Sequence, residues 1–194
     1  MSVNAHPVSP WARRDVQIGA VVAIALALAF VVWLIVRGGG GNSSSAASGS
    51  TTVASIGPKA ADQAELQALS AQSGHPIYWL GPQAHRIYEL TRTSSGRIFV
   101  RYLPPTAPIG TKHEYTIVGT YPVTGAFQAL KKQAAKDHDL TFTAPGGGFA
   151  AYSESSPTNV YLVYPGKNVQ IEVFDPSPQH ERALIASGQI APVR

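Results

Sequence analysis

The sequence has no cysteine and little charge: Asp, Glu, Lys and Arg make up 13% of its 194 residues. Without cysteine there can be no disulfide framework, thiolate metal site, cysteine nucleophile, redox motif or lipid-modified cysteine. The shortage of charge is about half the norm of roughly 25% for a soluble domain. It implies that part of the chain avoids water, or that the surface is polar but neutral. Catalytic signatures are also missing: there is no HExxH, no histidine pair at helical ligand spacing and no GxSxG around any serine. Gly146-Gly147-Gly148 lacks the Lys and the Ser or Thr of a phosphate loop, and reads as a flexible loop.

Two uncharged blocks account for much of the shortage. From Val16 to Val36 there are 21 residues without a charge, flanked by Arg13, Arg14 and Asp15 and by Arg37. At 1.5 Å per residue such a helix is about 31 Å long, close to a hydrocarbon core of about 30 Å. Trp11 and Trp33 would sit near the two interfaces, and Ser9-Pro10 supplies a helix start. The run exceeds the apolar core of a signal peptide and ends in Arg37, so an uncleaved transmembrane helix is expected over 16–36. Two arginines precede it and one basic residue follows before Lys59. The excess predicts a cytoplasmic tail, 1–15, and a C-terminal part outside the cell membrane. Residues 37–57, with no charge after Arg37 and mostly Gly, Ser, Ala and Thr, read as a flexible tether of about 25 Å r.m.s. reach.

The remainder, 58–194, is long enough for one compact domain. It holds 12 basic and 10 acidic residues, so half of the chain's net charge of +4 belongs to the anchor flanks. The basic pI therefore makes no case for nucleic acid, and Gly96–Tyr102 lacks the aromatic after glycine that an RNA-recognition strand carries. Patterning predicts helices at 58–72 and 124–138 and a third from Ser177-Pro178 to Gly188. Strands are expected at 77–80, 86–92, 97–103, 115–121, 140–143, 149–153, 159–164 and 169–174. That order is a helix and four strands, twice, then a helix. Arg97–Tyr102 matches Asn159–Tyr164 at an offset of 62, and the fourth strands match at 54 through Ile117 and Ile171. An α+β domain follows: an antiparallel sheet of two tandem units with the helices on one face.

The chemistry concentrates in the hairpin 86–103, which holds four of the domain's six arginines. With a four-residue turn at Thr93–Gly96, the candidate binding residues Arg86, Tyr88, Arg92, Arg97, Phe99 and Arg101 share one face. They would form a platform for an anionic envelope polymer, headgroup or protein. A three-residue loop would instead divide the arginines between faces; the competing reading makes them solvated edge charges that discourage strand pairing, with Glu154 or Glu172 as partners. The histidines His75, His85, His113, His138 and His180 lie beside acids in sequence, but adjacency makes no dyad. The expected role is noncatalytic binding at the envelope, with no cofactor, no metal and no nucleic-acid partner, and with the bilayer contacted through 16–36. The competing roles are a sensor or regulatory subunit acting through the anchor, and a hydrolase using His75, His113 or His138.

Overall fold

A computed structural model describes residues 53–194. The predicted tail, the transmembrane helix and the tether up to residue 52 lie outside the described residues. Among the described residues no helix is long and apolar enough to cross a membrane.

The domain is sheet-rich and antiparallel with three helices, an α+β architecture. Strands β1 (Ile56–Ala61), β3 (Ile87–Arg92), β4 (Ile98–Leu103), β5 (Ile117–Pro122), β6 (Leu140–Ala144), β7 (Gly148–Tyr152), β8 (Asn159–Val163) and β9 (Val169–Phe174) form one sheet in the order β1-β3-β4-β5-β9-β8-β7-β6. Two meanders, β3-β4-β5 and β6-β7-β8-β9, meet at the antiparallel pair β5–β9, where Val118 faces Val173. Short strands β2 (Tyr78–Trp79) and β10 (Ala191–Pro192) pair separately.

The helices are α1 (Gln63–Ser73), α2 (Ala126–Asp137) and α3 (Pro178–Ala186). The helix expected over 58–72 starts later, because 56–61 is the edge strand β1. Pro58 is tolerated on an edge, where no ladder donor is needed. Asp62 then caps α1, its carboxylate accepting from the Glu65 amide at 2.8 Å, a signal the proline obscured. Residues 56 and 57, assigned by sequence to the tether, belong to this strand. Strand β2 does not join the sheet, and β1 takes the edge beside β3.

Both faces of the sheet carry helices, which corrects the one-face expectation. On the first face Leu66 and Leu69 of α1, Leu184 and Ile185 of α3 and the segment 77–80 pack on Leu90, Ile98, Val100, Val118, Ile171, Val173, Val160 and Leu162. Each such residue, fully buried, contributes about 1.5–3 kcal/mol. On the second face Ala126, Leu130 and Ala134 of α2 pack on Ala151 and Val163, with Phe127 and Phe149 beside them. The stripe Phe127, Leu130, Ala134 was legible in sequence; which face it meets was not. The chain pairing also makes the fourth strands equivalent at 53 when β4 and β8 match at 62, since Ile98 faces Thr120 and Val160 faces Val173. Ile117 and Ile171 thus point to opposite faces.

Candidate functional site

The β3–β4 hairpin closes through a three-residue loop. The Thr93 amide donates to the Arg97 carbonyl at 2.9 Å, and the Gly96 amide donates to the Thr93 carbonyl at 3.0 Å. Gly96 takes φ +79°, the left-handed position such a loop reserves for glycine. Arg92 therefore faces Ile98, Leu90 faces Val100 and Tyr88 faces Tyr102. The pairing is one residue off the four-residue-turn expectation, and it places Tyr88, Leu90, Ile98, Val100 and Tyr102 together on the buried first face. The hydrophobic pattern sets this choice, because a one-residue slip would turn half of that set to water.

The six residues expected to form one platform are consequently divided. Tyr88 lies on the first face, edge-on to Trp79 and Tyr102 at 5.5 and 5.4 Å between ring centres. Arg92 shares that face, and its Nε donates to the Ala54 carbonyl at 2.9 Å. Arg86 precedes β3 and is exposed. Only Arg97, Phe99 and Arg101 stay together, on the second face. Arg101 is committed there: it pairs with the buried Glu89 at 2.5 Å and donates to the carbonyls of Thr111 and His113 at 3.1 and 2.8 Å. The other Glu89 oxygen accepts from the Gly110 amide. This ion pair holds the proline-rich loop 104–114 over one end of the second face.

Beside it lies the uncovered part of that face, between the loop and α2. Thr91, Arg97, Phe99 and Ile117 are half-buried there, and among the described residues the helix on this face, α2, packs on β7 and β8. Phe99 meets the Tyr121 ring edge-on at 5.7 Å, and the Arg97 guanidinium stands 5.6 Å from the centre of the same ring. Gly119 makes this packing possible, since a Cβ there would lie 3.1 Å from Tyr121 and 3.3 Å from Phe99. Beneath them the Tyr121 hydroxyl donates to the buried Glu172 carboxylate, which Tyr161 also hydrogen-bonds. Burial pushes Glu172 above the usual carboxylate range, against the opposing pull of Tyr121 and Arg97. Burial, together with the neighbouring Glu172, raises Tyr121 and Tyr161 well above an ordinary phenol. The arrangement is a rigid, aromatic, hydrogen-bonded floor beneath an accessible strip.

Sequence reasoning found Arg97 and Phe99 and named Glu172 as a partner for the hairpin arginines, but missed Tyr121, Gly119 and Tyr161. Alternation in Val169–Phe174 does place Gln170 and Glu172 on one face. That pattern reads as a solvent face until the tyrosines of β5 and β8 are brought over it. The histidines are dispersed. His75 Nδ1 lies 3.2 Å from the Pro76 carbonyl, and His138 takes the left-handed position that ends α2. His180 Nδ1 is 2.9 Å from Asp175, which also accepts from the Thr116 hydroxyl at the cap of α3. Among the described residues no group of His, Asp and Glu is arranged to hold a metal ion. Gly146 and Gly147 form a tight turn that opens β7, with Tyr164 3.6 Å from where a Gly146 Cβ would be. No protein-family model, curated protein or solved structure matches this chain.

Proposed function

We propose that the chain is a single-pass membrane protein that displays a noncatalytic interaction domain outside the cytoplasm, and that the uncovered part of the second sheet face is its contact surface. The observation that carries the reading is the asymmetry of that face. Residues 149, 151 and 163 lie under α2, whereas Thr91, Arg97, Phe99 and Ile117 are half-buried and, among the described residues, lie under no helix. The partner is an envelope protein: aromatic residues and arginine over a packed floor are the composition of interface centres. A charged polymer would call for the aligned arginines that the hairpin register divides.

The anchor over 16–36, the cytoplasmic tail 1–15 and the tether to about residue 55 rest on the sequence. The domain itself is read as two halves of common origin, because β4 and β8 at an offset of 62 keep Ile98, Val100 and Tyr102 in step with Val160, Leu162 and Tyr164 on the first face. The test exchanges residues 1–36 for an unrelated anchor and measures association with envelope fractions. Association should persist after the exchange and fall at least about tenfold with Phe99→Ala and Thr91→Ala combined, the scale of one interface anchor. Loss on anchor exchange alone would favour a regulatory subunit acting through its membrane segment. Association unchanged in the double variant would remove the proposed surface.

A further inference from the structure

The charges of the domain are sorted along the strand direction. At one end of the sheet lie the four connections β3–β4, β5–α2, β6–β7 and β8–β9, covering residues 93–97, 123–125, 145–147 and 164–168. They are one surface: a Gly96 Cβ would lie 3.6 Å from Pro122, and the Gly125 amide donates to the Asn168 side chain at 3.1 Å. Its charged residues, with the adjoining Arg92, are Arg92, Arg97 and Lys167, and there is no acid among them. Helix α2 also starts here, with no acidic residue in its first turn, so its positive dipole end adds to the same sign. The opposite end carries Asp62, Glu114, Asp139, Glu154 and Asp175 against Arg86 and Lys112.

The basic end is also where the chain enters the domain. Ile56 pairs with Arg92, and Arg92 Nε holds the Ala54 carbonyl at 2.9 Å. The chain thus enters this end of the domain at its β1 edge, beside Arg92. We infer that this end of the domain binds anionic lipid headgroups, with the acidic, histidine-bearing end turned away from them. The inference rests on the anchor reading above. It adds a lipid contact through Arg92 and Lys167, with Arg97 at the border between this end and the open second face.

The absence of cysteine makes the test clean. The full chain carrying Ser94→Cys at the basic end, or Ser155→Cys at the far end, is labelled with a fluorophore. It is then reconstituted in phosphatidylcholine vesicles with or without phosphatidylglycerol, each containing a headgroup-nitroxide lipid. Quenching should be strong at residue 94, weak at residue 155 and dependent on phosphatidylglycerol. Arg92→Ser and Lys167→Ser should each lower the ratio of docked to free domain about fivefold, the scale of one cation at an anionic surface. Equal quenching at the two ends, or quenching at 94 that ignores lipid charge, would overturn the orientation while leaving the anchor intact. Failure of the chain to float with the vesicles would overturn the anchor and the orientation together.

Discussion

On the N-terminal half of the second sheet face the backbone is held by a buried ion pair and a loop; on the C-terminal half it is held by a helix. Glu89 and Arg101 tie residues 104–114 to β3 and β4, whereas α2 seals β7 and β8 through Leu130 and Ala134. The two faces also bury acids differently. Glu89 on the second face has a guanidinium partner, whereas on the first face Glu181 of α3, fully buried, accepts from the Val160 amide at 2.7 Å and leaves its second oxygen without a hydrogen bond. A polar staple organises a local segment and leaves the neighbouring surface open; an apolar helix closes it. The half with the staple is therefore the half that can receive a partner.

The largest expected effect comes from breaking the staple. Arg101→Ala leaves Glu89, 1% exposed, without its cation. Removing one member of a buried pair costs about 3–5 kcal/mol, most of it from the charge left behind. Urea unfolding should register that loss, and amide exchange in 104–114 should accelerate while α2 stays protected. Replacing both residues, Glu89→Met with Arg101→Leu, should restore most of the stability but not the loop. A single variant as stable as the parent would mean that the loop and sheet do not depend on the pair.

Next in size is the acid with no ion pair. Burial pushes Glu181 up to about 9, above the value of about 4.3 it has in an unfolded chain. The folded state therefore holds the proton more tightly than the unfolded one. Its stabilising contribution is complete below about pH 4.3 and is lost as pH rises toward 9. Glu181→Gln keeps an oxygen to accept from the Val160 amide and has no proton to lose. It should raise stability at pH 8 by an amount on the order of 2 kcal/mol and flatten the decline between pH 5 and 9. Parallel pH profiles for parent and variant would exclude Glu181 as the source. The same substitution at Glu89 should destabilise, since it weakens an ion pair in place of removing an acid that has none.

Much of this fold is legible in the chain. Strands 87–92, 98–103, 159–163 and 169–174 and the cap of α3 follow from alternation, from Pro165-Gly166 and from Ser177-Pro178. What was not legible had one physical cause: the signals are local and the decisions are tertiary. Pro58 reads as a first-turn proline unless an edge strand is known to lie beside β3. The turn Thr93–Gly96 allows two registers that differ by one residue, and the choice falls to the packing of Leu90 and Val100 under α1 and α3. That one-residue difference divides the arginine platform and exposes the aromatic strip. Glu172 reads as a surface acid because Tyr121 and Tyr161 reach it from 51 and 11 residues away in the sequence.

The smallest expected effect sharpens the comparison most. Phe99 on the open half and Leu130 on the sealed half both belong to the second face, but Leu130 is 1% exposed and Phe99 only half-buried. Truncating Leu130 to alanine opens a cavity between α2 and the sheet, which costs about 2–5 kcal/mol. Phe99→Ala removes one ring from a strip already in partial contact with water, and Tyr121 stays anchored to Glu172 beneath it. Its cost should be about 1 kcal/mol or less, the scale of an edge-to-face aromatic pair, with the unfolding slope unchanged. A side chain that contributes so little to the fold, yet is held over Gly119 by a buried hydrogen-bonded tyrosine, is suited to contact something else. A loss equal to that of Leu130→Ala would show that Phe99 belongs to the core and that the second face is closed on both halves.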